Sequence, residues 1–190
     1  MTRRCRVAAS LVTLTTLAAQ AKEIAPYRAD LIVHWGRGAG SEVFRDELAR
    51  TVAQHLATGC FQDVRIAERE DGESDAELTY TIVLSDVIDE TRFDDTIAGA
   101  LQPGEPTKEL RRVAYFEITA DATLTARANG AVVSRKHMVA HAERRPIYVG
   151  EDPQAFARAE ATGDVVDTLT RALSCGSAKL IRKIRDAAPD

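Results

Sequence analysis

The stretch RRVAYFEITADATLTARANGAVVSRKHMVAH, Arg111 to His141, decides how this chain folds. In its first half Ala114, Phe116, Ile118, Ala120, Ala122 and Leu124 fall on one face, and Glu117, Thr119, Asp121, Thr123 and Thr125 on the other. A period of two, apolar against polar, marks a strand buried on one side only. Asn129-Gly130 then supplies the residues that take positive φ in a tight hairpin. The chain returns through Val133 and Val139 as a second long strand.

Working outward, ELTYTIVLSDVIDETRF (Glu77–Phe93) repeats the pattern, with Leu78, Tyr80, Ile82 and Leu84 on one face and Asp86 continuing it. Pro103, Gly104 and Pro106 make the segment before Arg111 a loop. Earlier still, Lys22 to Ala29 reads as an extended lead-in to a short buried strand, Leu31 to Trp35. Ser41 is a helix N-cap, followed by Val43, Phe44, Leu48, Val52 and Leu56 at helical spacing until Gly59 stops the helix. FQDVRIAE (Phe61–Glu68) is a further strand. After Pro153 the period turns helical again through Phe156, Val165, Val166, Leu169, Leu173, Leu180, Ile181 and Ile184. Cys175-Gly176 divides that stretch into one interrupted helix or two consecutive ones. The order β-α-β-β-β-β-α predicts an α+β fold: a two-layer sandwich with a mostly antiparallel four- to five-stranded sheet and two main helices on one face.

The 190 residues suit one domain after a leader. MTRRCR carries three arginines and no acid, and the uncharged run from Val7 to Ala21 ends in Ala19-Gln20-Ala21. A basic start, a short apolar middle and small residues at the end make a secretory signal, residues 1–21, leaving a domain at 22–190. The run has 15 residues, and a membrane-spanning helix needs roughly 20. Bacterial lipoproteins place a lipid-bearing cysteine directly after a similar Leu-Ala-Ala stretch, where this chain has Gln20. Without the leader, 22 basic residues face 29 acidic ones, a net charge of −7. That balance argues against general nucleic-acid binding. The remaining cysteines, Cys60 and Cys175, each lie beside a glycine at the end of a predicted helix. They are either a disulfide or two separately buried thiols, and an oxidising compartment favours the disulfide.

Gly36, Gly38 and Gly40 sit between a strand and a helix, where phosphate loops occur. A P-loop needs Lys before Ser or Thr, and Ser41-Glu42 stands there instead; Ser41 also occupies the third glycine place of a dinucleotide fingerprint. The segment reads as a structural turn, with no nucleotide and no cofactor. His137 and His141 look like a metal pair, but on a strand they lie about 13 Å apart, too far to share one zinc. With no G-x-S-x-G and no metal cluster, and with Asp86 as the one acid that stands out, the chain reads as a non-enzyme. Two basic clusters, Arg111-Arg112 and Arg135-Lys136, are candidate contacts for an anionic lipid. The cations of KLIRKIR (Lys179–Arg185) suit a helix C-terminus.

These features together resemble the LptE family of lipopolysaccharide-assembly proteins. The likeness runs from RVAYFEITADATL through the Asn129-Gly130 hairpin to EDPQAFARA and AKLIRKI. Asp152-Pro153-Gln154 and Lys179-Leu180-Ile181-Arg182-Lys183 stand where that family has a proline-led helix start and a Leu-Ile-basic end. The resemblance implies a plug and assembly partner inside an outer-membrane β-barrel (LptD-like), in contact with lipopolysaccharide. Family members are normally lipidated; Gln20 would leave retention to the barrel interface. An auxiliary subunit of a lipid-transport ABC system, or an activator of a cell-wall synthase, asks for the same wedge and is the alternative.

Overall fold

The computed structural model describes residues 24–36, 41–69, 74–93, 112–146 and 150–188; the predicted signal segment and Arg111 lie outside them. The elements are β1 (Ala25–Trp35), α1 (Glu42–Gly59), β2 (Phe61–Ile66), β3 (Leu78–Phe93), β4 (Arg112–Ala126), β5 (Val132–Arg144), α2 (Pro153–Leu173) and α3 (Ala178–Ala187). The α+β order is the expected one, with the helical tail divided in two. Ser174 takes the left-handed conformation (φ 62°) after α2, and Gly176 follows at φ 73°. Those two residues turn the chain before Ser177 starts α3.

The strands form one sheet in the order β2-β1-β3-β4-β5. It is mixed: β1 runs parallel to β2 and β3, while β3–β4 and β4–β5 are antiparallel. The reason is the α1 crossover, which brings β2 back in the direction of β1. The lead-in from Ala25 is already strand, because its pairing with β2 starts opposite Phe61. α1 packs beside β1 and β2, and α2 lies across β4 and β5 on the same face. The core between the layers takes Leu31, Val33, Tyr80, Ile82, Phe116, Ile118 and Leu124 from the sheet, with Leu48, Leu56, Val165 and Leu169 from the helices. Burial pushes the Tyr80 hydroxyl pKa well above its ordinary value. Phe44 of α1 meets Phe116 of β4 edge-on, with ring centres 5.5 Å apart.

Three details differ from the sequence reading. The β4–β5 connection is longer than a two-residue turn, and only Gly130 has positive φ (69°). The Asn129 side chain serves instead as a tie: its Oδ1 accepts from Ala131 N, and its Nδ2 donates to Ala187 O of α3, both at 2.9 Å. Secondly, β3 bulges between Leu84 and Asp86, so Asp86 pairs with Thr119 on the face away from the helices. Val87, opposite Ile118, takes over the core-facing place. Thirdly, Val43 and Phe156, read as parts of the apolar helix stripes, are 75% and 51% exposed.

Three features brace the lower end, where the β4–β5 hairpin and α3 meet. Cys60 and Cys175 form a disulfide across 115 residues of sequence. Nearby, Glu77 accepts from the Arg28 backbone N (2.8 Å) and guanidinium (3.1 Å). Burial pushes the Glu77 carboxyl up, but these bonds outweigh it and hold its pKa below the usual value. Asp30, on the bare face of β1, is 1% exposed and accepts from Arg65 Nε (3.1 Å) and Arg127 Nη1 (2.8 Å).

Cys60→Ser is expected to lower the melting temperature in oxidising buffer and to leave it unchanged in reductant; the bridge contributes about 4–5 kcal/mol by loop-closure entropy. Asp30→Asn is expected to cost about 1–3 kcal/mol in a urea titration, below the range for fully buried pairs because Arg65 is half-exposed.

Candidate functional site

The upper end of the molecule is built differently from the lower. β1 stops at Trp35, opposite Leu84. Beyond that level, among the described residues, β3 pairs with β4 alone, and Ser85 to Phe93 form the edge of a ribbon completed by β4 and β5. Gly36 leaves β1 close against this ribbon: its N donates to Leu84 O at 2.9 Å, and a Cβ there would stand 2.8 Å from Val83 Cγ1. Any larger residue there would force Val83 to shift.

Both long helices start at this end, since β1 and β5 run up to it. Ser41 Oγ accepts from Phe44 N at 3.3 Å, as expected of an N-cap. The Asp152 carboxylate accepts from Gln154 N (3.1 Å) and Ala155 N (3.2 Å), with Pro153 opening α2.

Charged and aromatic groups cover the ribbon. On the bare face the Arg92 guanidinium lies 3.5 Å over the Tyr115 ring, pairs with Glu90 at 2.6 Å, and reaches Glu143 at 3.8 Å. The Tyr115 hydroxyl donates to Glu117, and this bond, helped by burial, raises its pKa. His141 stacks on Tyr115 with ring centres 6.3 Å apart, and His137 Nδ1 lies 2.9 Å from Asp121 Oδ1. On the helix side Arg158 pairs with Asp89 at 2.6 Å and lies 5.6 Å over Phe116. Arg144 lies 5.2 Å over Phe156. The same end exposes three large apolar residues, Phe93 (67%), Phe156 (51%) and Val43 (75%).

The predicted lipid contacts are not gathered into one patch. Arg112 lines a cleft of about 230 Å³ with Thr91, Gly150, Glu151, Asp152 and Gln154. Arg135 lies opposite Thr123 and Lys136 opposite Ala122. With β4 rising about 3.3 Å per residue, Arg112 and Arg135 are about 36 Å apart along the strand. Arg111 lies outside the described residues. The Arg112 cleft is small for a ligand site and is walled by Glu151 and Asp152.

His137 and His141 project from one face of β5, four residues apart, and take separate partners. Among the described residues no group of three or more His, Cys, Asp or Glu is placed to hold a metal ion. No described helix is long and apolar enough to cross a membrane. Sequence reading missed the exposed apolar residues at the helix starts, because Val43 and Phe156 have the spacing of core residues. It also missed Asp30, although an acid inside the apolar run Ala29–Val33 was a visible signal.

No protein-family model matches the chain, and no curated protein matches it. Solved structures do resemble it. Protein XCC0632 from Xanthomonas campestris, of family DUF330, is 12% identical over 90% of this chain and 93% of its own, with a TM-score of 0.50. A putative neuraminyllactose-binding hemagglutinin homolog from Helicobacter pylori is 13% identical over 87% and 91%, with a TM-score of 0.49. A minor lipoprotein from Acinetobacter baumannii is 11% identical over 80% and 93%, with a TM-score of 0.42. At such identities the likeness is one of fold.

Proposed function

We propose that the protein is an exported, non-enzymatic auxiliary of a bacterial envelope-assembly or lipid-transport machine, which works by docking onto a protein partner. The observation that carries this reading is the upper end, where Phe93 on the ribbon and Val43 and Phe156 at the starts of the two long helices expose apolar surface among arginines and acids. Aromatic residues framed by arginine are typical of protein contact surfaces. A secretory signal in the sequence and a disulfide in the fold support placement outside the cytoplasm.

In its LptE-like form the partner is a large outer-membrane β-barrel and the cargo lipopolysaccharide, with the ribbon end seated in the barrel. In the other form the partner is a lipid-transport ABC system or a cell-wall synthase, met in the periplasm. Arg112 lies about 36 Å along the strand from Arg135, so one anionic headgroup cannot bridge both clusters in either form.

Crosslinking and pulldown of the tagged protein from solubilised envelopes, with partners identified by mass spectrometry, separates the two forms. Phe93→Ser with Phe156→Ser is expected to cut partner recovery at least several-fold without changing the melting temperature. Recovery unchanged by that double variant removes the ribbon end as the docking site. Binding to anionic micelles tests the lipid contacts. If both clusters touch lipid, Arg112→Glu and Arg135→Glu weaken binding separately and additively, as sites this far apart should. Binding that ignores both changes leaves these arginines as solvated charges.

A further inference from the structure

We propose that the outer edge of β5 is a homodimer interface, pairing antiparallel with β5 of a second copy about a two-fold axis through Val139. β5 ends the strand order and has 13 residues. Among the described residues no strand pairs with its outer edge. Such an edge presents unpaired N–H and C=O groups along its length and accepts another strand unless its side chains forbid it. Arg135 and Lys136 discourage indiscriminate pairing here, and neither is ion-paired among the described residues. A strand that brings an acid to Arg135 is therefore the favoured partner.

β5 itself carries that acid at the right distance. Arg135, His137, Val139, His141 and Glu143 all face the bare side, opposite Thr123, Asp121, Thr119, Glu117 and Tyr115 of β4. If the helices of both copies lie on one side of the joined sheet, bare-side residues oppose bare-side residues. A two-fold centred on Val139 then sets Arg135 against Glu143 of the second copy, twice. It also sets His137 against His141, and the half-exposed Val139 against itself. On the helix side Lys136 meets Ala142 and Met138 meets Ala140, so Arg135 and Lys136 are opposed to no other cation.

Neighbouring registers do not match. Centring on Met138 puts Arg135 against His141 and Glu143 against Val133. Centring on Ala140 puts Arg135 against Arg145. Glu143 is open to the new contact, being 55% exposed and only 3.8 Å-paired to Arg92. The interface is isologous, so it closes at two copies.

Sedimentation equilibrium of the purified chain tests this. A monomer–dimer equilibrium is expected, with Arg135→Glu or Glu143→Arg alone weakening association about tenfold or more, and the double swap restoring it. Circular dichroism of each variant checks that the fold is kept. Under mild oxidation Val139→Cys is expected to crosslink two copies. Val132→Cys, whose own counterpart lies far across the axis, is not. A monomer at every concentration, an assembly larger than a dimer, association indifferent to Arg135→Glu, or no rescue by the double swap would overturn the proposal. Failure of Val139→Cys to crosslink overturns the register.

Discussion

β4 is paired along nearly its whole length on both sides, with β3 and with β5, and the rest of the molecule is arranged around that constraint. A strand held this way offers the helices one uninterrupted surface, and its side chains decide how near they come. Ala114, Ala120, Ala122 and Ala126 interleave with Phe116, Ile118 and Leu124 on that surface, all almost fully buried. α2 answers with Ala157 and Ala161, both 0% exposed. Small residues on both layers bring α2 close, while the large ones fill the gaps beside it, which is how native density is reached without strain. Phe116 anchors the arrangement, with Phe44 against its edge and Arg158 over its ring.

The other half of the sheet meets a different demand. β1 lies between β2 and β3, parallel to both, and is largely buried on both faces through Ala29–Val33. On the bare face this burial includes Ile32 and, unusually, the Asp30 carboxylate. An unpartnered carboxylate at such a site would be strongly destabilising. Arg65 from β2 and Arg127 from beyond β4 meet it from both sides. The same residues thereby tie the outermost parallel strand to the start of the hairpin connection. A one-residue slip of β2 would carry Arg65 to the opposite face, so the ion pairs also hold register.

How much of this was legible follows from what each signal depends on. The strict alternation of β4 and the helical spacing of Phe44, Leu48, Val52 and Leu56 are local patterns, and they survive into the structure unchanged. The pairing of Cys60 with Cys175 was legible as one of two options, through the redox compartment that the leader implied. The Ser85 bulge was not. Alternation read straight through it keeps Asp86 beside Leu84, and one inserted residue reverses every face that follows. The direction of β1 was equally hidden, because it depends on where α1 delivers β2 rather than on the residues of β1. For the site, Arg112, Arg135 and Lys136 were visible as cations, but whether they converge is set by antiparallel pairing over 15 residues of β4. Val43 and Phe156 had the spacing of core residues. Each lies in the first turn of its helix, at the end where the sheet narrows to a ribbon, and is exposed there.

The disulfide and the Asn129–Ala187 bond close one end of the molecule only. Local opening is therefore not shared evenly along β3. Its lower half is buried between β1 and β4 and should open only with the whole domain. Its upper half has β4 on one side and solvent-exposed side chains throughout Asp89–Phe93. Amide protection should fall along this single strand from Leu78 to Phe93, with the step at the bulge. One continuous strand thus belongs to two cooperative units. The less protected one is the ribbon, which can adjust to what it meets without loosening the core beneath it.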